Sequence, residues 1–471
     1  TLNMDIEETQ TIKPVKLSET KSNILDGVKI NVITMGCAHN QADSDIIASQ
    51  FLQHGATLTN YEDANLIYIN SCTVKTPSQE KALYQAAKAA ENQEVQIVLG
   101  GCVPQSMKVD QRLQTLIEQK RLFIVGVLDD ALLQQLIENI KSKTQMRFVT
   151  KKPMHNPDQQ LSHHFQQIAD VIPLCQGCLG SCTYCKTVQS RGRLVSYPAE
   201  QILKRVQAAL ANPQIQELWF TGEDTLAWGL DHQQHFGVLF DQILPLFNES
   251  EKMIRIGMTD PESVVNKSDE LVKVLRHKNV YKFLHLPVQS ASDQVLATMR
   301  RRYKYEQYKN LVQKLQKEVP GVTIATDFIV GFPGETDADF QESIECMKLL
   351  KFPVVNVTQY YARENTPAAK MQQVEEKVKK ERSKICSQVA VEQFDRQQWV
   401  GQEMEIIVGK LLEEYKYKRF CEGKSLNYLS VLVQGQAEKF EDAVGGCKVG
   451  DHIKVRITGI TRVALVGEII E

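Results

Sequence analysis

The chain has 471 residues, which at roughly 150 residues per domain amounts to about three folding units. Hydrophobic residues make up 42% and charged residues 24%, which excludes wholesale disorder, collagen-like repeats and coiled coil. Lys and Arg number 55 against 57 Asp and Glu, a net charge of -2, so no global positive field advertises a nucleic acid and any RNA contact has to be local.

The leader, residues 1–26, is polar and lacks the apolar core and cleavage site of a secretory signal. Apolar stretches such as Leu122 to Leu128 fall far short of the ~18 residues of a spanning helix. The sequence therefore reads as soluble and cytoplasmic, without a membrane segment, and an anchoring tail beyond these termini stays open. Eleven cysteines are too sparse for a disulfide scaffold and point to metal or redox chemistry, so their positions matter more than their number.

After the leader, three apolar runs end in cysteine: Val28 to Met35 before Gly36-Cys37, Leu66 to Ile69 before Asn70-Ser71-Cys72, and Val95 to Leu99 before Gly100-Gly101-Cys102. Helical periodicity between them, at Asp43 to His54 and Ser78 to Glu91, predicts alternating strands and helices and hence a parallel sheet. Ligands of open parallel sheets bind beyond the carboxyl ends of the strands, so three cysteines placed there converge. Three buried cysteines acting as small hydrophobes is the competing reading.

Residues 148–165 turn polar and Pro-containing and read as a linker. Strands are then expected at Gln216 to Thr221, Met253 to Thr259, Tyr281 to Val288, Val322 to Val330 and Val354 to Tyr360, with helices near 199–211, 263–276, 305–318 and 337–350. The Thr336-x-x-Asp339 pattern marks a helix start. This βα repeat, over 166–396, suits a full or partial barrel with its site at the strand C-terminal ends. Short alternating runs at Glu403 to Val408, Tyr428 to Val433, His452 to Ile457 and Val463 to Val466 predict a small all-β barrel over 397–471.

The strongest chemical signal is Cys178-x-x-x-Cys182-x-x-Cys185. Three thiolates can hold three irons of a [4Fe-4S] cube and leave the fourth open to substrate. Zinc is the competitor, because Cys175-x-x-Cys178 and Cys182-x-x-Cys185 offer two knuckles. The short separation of the pairs argues against it, since zinc folds usually place about a dozen residues or more between knuckles.

This CxxxCxxC, with Tyr184 before its last cysteine, resembles the signature of the radical S-adenosylmethionine (SAM) enzymes. Thr221-Gly222-Glu223-Asp224 is similar to the family's motif for the amino group of SAM, and Gly331-Phe332-Pro333 to its segment near the adenine. With the three-cysteine domain before it and the β-barrel behind, the chain resembles the methylthiotransferases over nearly all of residues 27–470. The strings that carry this are Met35-Gly-Cys37-Ala-His-Asn-Gln, Asn70-Ser-Cys72-Thr-Val-Lys, Gly101-Cys102-Val-Pro-Gln, His285-Leu-Pro-Val-Gln-Ser-Ala-Ser and Thr366-Pro-Ala-Ala-Lys-Met371. They look most like the branch that modifies threonylcarbamoyladenosine in tRNA; related branches act on isopentenyladenosine in tRNA or on a ribosomal-protein aspartate. Arg363-Glu364-Asn365-Thr366 departs from the family string, which usually has proline and glycine between the arginine and the threonine.

The resemblance implies an α/β architecture: an open parallel sheet domain with an auxiliary cluster at 27–147, a partial (β/α) barrel of radical SAM type, and a TRAM-like β-barrel associated with tRNA binding. It implies two [4Fe-4S] clusters, one on Cys37, Cys72 and Cys102 and one on Cys178, Cys182 and Cys185. The second would cleave SAM to a radical that abstracts the hydrogen on carbon 2, the first would carry or donate sulfur, and a second SAM would give the methyl group. Tyr184, Gly222, Glu223, Asp224, Gly331 and Pro333 would contact SAM, and no catalytic residue is assigned beyond the cluster ligands. An electron donor and a tRNA carrying threonylcarbamoyladenosine are the implied partners.

RNA contacts are expected at three basic patches: Arg191, next to Arg193; Arg300, Arg301 and Arg302; and Lys416, Lys418 and Arg419, where bases and aromatics interleave. From residue 397 onward there are 10 Lys and Arg against 11 acids, so charge alone does not mark the last segment as an RNA binder. Cys346, Cys386, Cys421 and Cys447 read as structural, and Cys175 is left open between a structural role and that of a competing ligand. A non-catalytic iron-sulfur RNA-binding or redox-sensing module is the remaining alternative.

Overall fold

The computed structural model describes residues 15–17, 20–73, 76–106, 113–119, 121–144, 147–148, 168–415, 418–434, 448–461 and 464–470. The linker expected at 148–165 lies almost wholly outside them.

The first unit is a parallel sheet of β1 (Lys29–Thr34), β2 (Thr57–Leu58), β3 (Leu66–Ser71), β4 (Gln96–Gly101), β5 (Leu122–Val125) and β6 (Arg147–Phe148), in the order β2-β1-β3-β4-β5-β6. Alternation along the strands splits its side chains between two cores. Ile30, Val32, Tyr68, Val98 and Phe123 face one core, where α1 (Ala38–Gln53) and α5 (Asp130–Ser142) cover them. Ile67, Ile69, Ile97, Leu99 and Ile124 face the other, which α2 (Thr76–Ala90) and α4 (Gln114–Glu118) cover; α3 (Cys102–Ser106) follows β4 directly. Burying each such side chain contributes about 1.5–3 kcal/mol. The leader is not wholly a tail: Val15 pairs with Leu58 and Leu25 is fully buried in the first core.

The second unit has parallel strands β7 (Ala169–Pro173), β10 (Glu217–Thr221), β11 (Met253–Ile256), β12 (Phe283–His285), β13 (Thr323–Val330) and β14 (Val354–Gln359). A small ribbon, β8 (Cys175–Gln176) with β9 (Val195–Ser196), branches off after β7. Strands β7, β10 and β11 form one three-stranded sheet and β12, β13 and β14 another, joined by the parallel bridge Ile254 to Val280. Six strands in sequential order, with α7 (Ala199–Ala211), α8 (Phe236–Ile243), α10 (Ser268–Arg276), α12 (Tyr305–Glu318) and α13 (Asp337–Leu350) outside, make a partial (β/α) barrel. The Thr336 start is capped reciprocally, Asp339 N donating to Thr336 Oγ1 at 3.2 Å and Thr336 N to Asp339 Oδ2 at 2.8 Å. Short helices α6 (Thr187–Arg191), α9 (Pro261–Val264) and α11 (Asp293–Thr298) lie in the loops that follow β8, β11 and β12, and α14 (Glu376–Glu392) returns after β14.

The third unit is a closed barrel of β15 (Glu403–Tyr415), β16 (Lys418–Ser425), β17 (Ser430–Gln434), β18 (His452–Ile460) and β19 (Leu465–Ile469). It packs Ile407 and Tyr428 against Met253, Tyr281 and Phe283, and Lys282 N donates to Leu426 O at 2.9 Å. These residues stand at the starts of β11 and β12. The small barrel therefore closes the end of the large one opposite its loops.

Candidate functional site

Cys37, Cys72 and Cys102 follow β1, β3 and β4, three neighbouring strands, and the register pairs Ser71 with Gly101, so Cys72 and Cys102 leave the sheet in one row. Gly36 lets the third join them. Its φ is +103°, and a Cβ there would stand 2.5 Å from Cys72 Cβ and 2.6 Å from Cys72 Sγ, an overlap no side chain tolerates. Cys37 Sγ is 3.5 Å from Asn40 Oδ1.

Cys178, Cys182 and Cys185 sit on the loop between β8 and α6. Gly180 N donates to Cys178 Sγ at 3.2 Å, Thr187 N to Cys185 Sγ at 3.3 Å and Arg301 Nη1 to Cys182 Sγ at 3.3 Å. Burial pushes the Cys178 and Cys182 thiols up, with Asp224 adding to it at Cys178 and Arg301 opposing it at Cys182. Cys102 is pushed up to about 11, again by burial first and against the pull of Arg191. Bare thiolates are costly here, and a metal is what makes them affordable to charge.

The two triads lie at the two ends of one short helix. The five-residue helix α6 separates them: its N-terminus adjoins Cys185, and Arg191 at its other end donates Nε to Cys102 Sγ at 3.3 Å. Ser190 Oγ lies 3.3 Å from Thr73 Oγ1, next to Cys72. Arg363, on the loop after β14, feels the charges of Cys185, Cys72 and Cys102, both triads together. That loop is fastened to the cysteine loop by Ala368 N donating to Thr183 O at 2.9 Å and by Gln189 Nε2 donating to Asn365 O at 2.9 Å.

Several expected roles change. Arg191 is 3% exposed, ion-paired with Asp43 at 2.6 Å and Glu223 at 3.3 Å, and Arg301 is paired with Asp260 at 2.7 Å with its side chain 6% exposed. Neither offers a surface to RNA; both turn inward because buried acids from distant segments claim them. Arg300 is exposed without a side-chain partner among the described residues, and Arg302 is exposed and pairs with Glu262 at 2.7 Å. Lys418 and Arg419 fall on β16 in the small barrel, while Lys416 and Cys447 lie outside the described residues.

Among the residues expected at SAM, Glu223 accepts from Gly177 N at 2.8 Å and lies 3.9 Å from His39 Nε2, so it joins the first unit to the second. Asp224 is turned to the loop after β11, accepting from Thr259 Oγ1 at 2.8 Å, Asp260 N at 3.0 Å and Ser263 Oγ at 2.6 Å. Burial first, and Asp260 second, raise its carboxyl to about 7. Gly222 borders Cys175, a fully buried thiol whose Sγ lies 3.3 Å from Asp224 O. Tyr184 meets Phe332 edge-on at 6.1 Å, which brings it to the Gly331–Pro333 turn. Sequence reasoning missed Lys186, Asp260 and Arg363, and the pair His285 Nε2 to Asp327 Oδ1 at 2.9 Å, joined by Asn356 at 2.8 Å; only the three-dimensional arrangement marks them.

Comparison with known proteins agrees with this geometry. Residues 172–347 match the model of the Radical SAM superfamily and residues 29–125 that of the uncharacterized protein family UPF0004. The human threonylcarbamoyladenosine tRNA methylthiotransferase is 37% identical over 412 residues, 86% of this chain and 69% of its own. The enzyme of that name from Drosophila pseudoobscura pseudoobscura is 33% identical over 99% of this chain and 81% of its own, and a probable one from Methanocaldococcus jannaschii 29% over 94% and 97%. Among solved structures, the radical SAM methyltransferase TsrM of Kitasatospora setae, with cobalamin and a [4Fe-4S] cluster bound, superposes with a TM-score of 0.54 at 13% identity, over 73% of this chain and 77% of that one, which speaks for the fold. The partial barrel and its cysteine loop are those of a radical SAM enzyme. Within that class, the chain belongs to the threonylcarbamoyladenosine tRNA methylthiotransferase family.

Among the described residues no helix is long and apolar enough to cross a membrane. Nor do three or more His, Cys, Asp or Glu side chains among them close on a single point as one metal ion requires.

Proposed function

We propose that this protein adds a methylthio group to carbon 2 of N6-threonylcarbamoyladenosine in tRNA, with Cys178, Cys182 and Cys185 holding one [4Fe-4S] cluster and Cys37, Cys72 and Cys102 another. The observation that carries the reading is the placement of the two triads at the two ends of the short helix α6, since removal of a hydrogen and delivery of sulfur have to reach the same carbon. The residues fit such clusters in a specific way: Arg191 Nη1 is a buried donor with no partner, beside Cys102, where a cluster sulfur would accept from it.

When bound, the clusters and SAM supply the radical, sulfur and methyl chemistry that side chains lack. The chain itself orients and encloses. Arg301, held by Asp260, aims Cys182, and Asp224 fixes Asp260 through its backbone. Arg191, held by Asp43 and Glu223, aims Cys102. Tyr184 and Phe332 form an apolar wall beside the cysteine loop. Arg300 and Arg302, on the exposed rim, and Lys418 and Arg419 on the small barrel are the RNA contacts of this reading. The electrons come from an external donor, and a tRNA substrate is in keeping with the cytoplasm.

The test is mass spectrometry of nucleosides from tRNA containing threonylcarbamoyladenosine, after anaerobic incubation with reconstituted protein, SAM and dithionite. A 2-methylthio derivative is the expected product. Release of 5'-deoxyadenosine without it would overturn the substrate, and neither product from iron-loaded protein would leave a structural-cluster module.

A further inference from the structure

Among the described residues, buried cations are matched. Arg191 holds Asp43 and Glu223, Arg205 holds Asp170, Lys379 holds Glu376, Arg382 holds Glu335 and Asp337, and Arg255 stacks on Trp219, Phe283 and Tyr428. Lys186 is the exception. It is 3% exposed and follows Cys185 directly, its side chain makes neither a hydrogen bond nor an ion pair among the described residues, and its Nζ is not among the fully enclosed atoms that lack a partner, so the ammonium itself reaches open space. Arg363, half-buried on the loop fastened to Thr183 and Gln189, makes no side-chain hydrogen bond or ion pair among the described residues, faces the charges of Cys185, Cys72 and Cys102, and is the strongest charge acting on Lys186. Glu364, exposed on the same loop, acts on Lys186 more weakly and does not pair with it.

A lysine on a nearly buried stem and a half-buried guanidinium, on adjoining loops between the triads, form a cationic wall that an anion entering there would meet. We propose that Lys186 and Arg363 receive the carboxylate of the threonylcarbamoyl group and so select the substrate. This rests on the function proposed above. The chemistry agrees: N6 and carbon 2 flank N1 on one edge of the adenine, so a base that presents carbon 2 to the space between the triads presents its N6 substituent to the wall of the same space. The threonyl carboxylate is the only charge on that base. An isopentenyl substituent is neutral and leaves both cations unpaired.

The competing carboxylate is that of the methionyl part of SAM, and the competing anion is backbone phosphate. Fluorescence anisotropy with reconstituted, iron-loaded protein separates them. The probes are three anticodon stem-loops, carrying threonylcarbamoyladenosine, its carboxylate methyl ester, or plain adenosine; SAM affinity is measured alongside. Wild type should prefer the first by roughly tenfold or more, as a charge-assisted contact provides, and bind the ester like plain adenosine. Lys186→Met and Arg363→Gln should each reduce that preference several-fold while affinity for plain RNA and for SAM holds, and Arg363→Lys should restore part of it. Unchanged preference in the variants overturns the proposal. So does a raised SAM dissociation constant with preference intact, or equal weakening toward all three RNAs, which assign the site to SAM or to phosphate. Wild type without any preference sinks the substrate reading instead. If Lys186→Met loses its iron, Arg363→Gln decides alone.

Discussion

At the scale of single residues, the site is organised by carboxylates that touch no cysteine. Asp224 illustrates this: its three acceptor contacts hold the loop after β11, and through it Asp260 and Arg301. Burial makes its charge expensive, with a folded value of about 7 against an ordinary 3.8. The folded protein therefore binds a proton that the unfolded chain releases between pH ~4 and ~7. Stability from this group is fully present below the unfolded value and is lost as pH rises through about 7. Asn in its place keeps most of the contacts and cannot ionise. The unfolding free energy of Asp224→Asn relative to wild type should thus shift in the variant's favour from pH 5 to pH 8, by up to a few kcal/mol. Denaturant titrations across that range measure it, and a difference independent of pH would refute the assignment.

Among the elements, α14 acts as a latch. Arg382 reaches from it to Glu335, whose side chain is 1% exposed, at 2.6 Å, and Glu335 in turn accepts from Gly331 N at 2.6 Å. Gly331 has a φ of +69°, and a Cβ there would run into the Lys379 side chain, so helix and turn fit only with glycine. The turn carries Phe332 to Tyr184. Arg382→Met would strand a buried carboxylate at a cost of about 3–5 kcal/mol. Urea denaturation should show that loss and weaker SAM binding should accompany it, while Glu335→Gln with Arg382→Met recovers most of the stability; a variant as stable as wild type would show that the latch contributes nothing. Elements of this kind were legible where periodicity was clean. Helices 305–318 and 337–350 fall at their expected bounds. Helix α1 starts at Ala38, five residues before the expected Asp43, because its first turns bury His39, Asn40, Gln41 and Asp43 against the second unit, which erases the apolar stripe. β16 went unseen because Lys418–Ser425 has little apolar alternation. Cys37, Cys72 and Cys102 stand just after β1, β3 and β4, the strand ends at which the three apolar runs place them. Arg191 and Arg301 were misread because their acids, Asp43 and Asp260, lie far away in the sequence.

Across the whole molecule, the cysteines and the small barrel occupy opposite ends of the partial barrel: one follows the strands' C-terminal ends, the other packs on the starts of β11 and β12. A net charge of -2 gives no overall attraction for RNA, so affinity has to come from separate local patches. In the reading proposed above, the rim patch, with Arg300 exposed and Arg302 half engaged by Glu262, would meet the anticodon arm as its base enters, and Lys418 and Arg419, on β16 of the small barrel, are the second patch. Each phosphate contact contributes about 0.7 to the slope of log affinity against log salt on single strands and about 0.9 on duplex DNA. Arg300→Glu should therefore weaken tRNA binding and flatten the slope by roughly 1 with iron retained. Arg419→Glu should do the same only if one tRNA spans both ends. Applied to an isolated anticodon stem-loop, too short to span them, Arg300→Glu keeps its effect and Arg419→Glu loses it. Binding measured over several salt concentrations with full tRNA and with the stem-loop thus reads the reach of the substrate directly, and a stem-loop insensitive to Arg300→Glu would remove the rim from the interface.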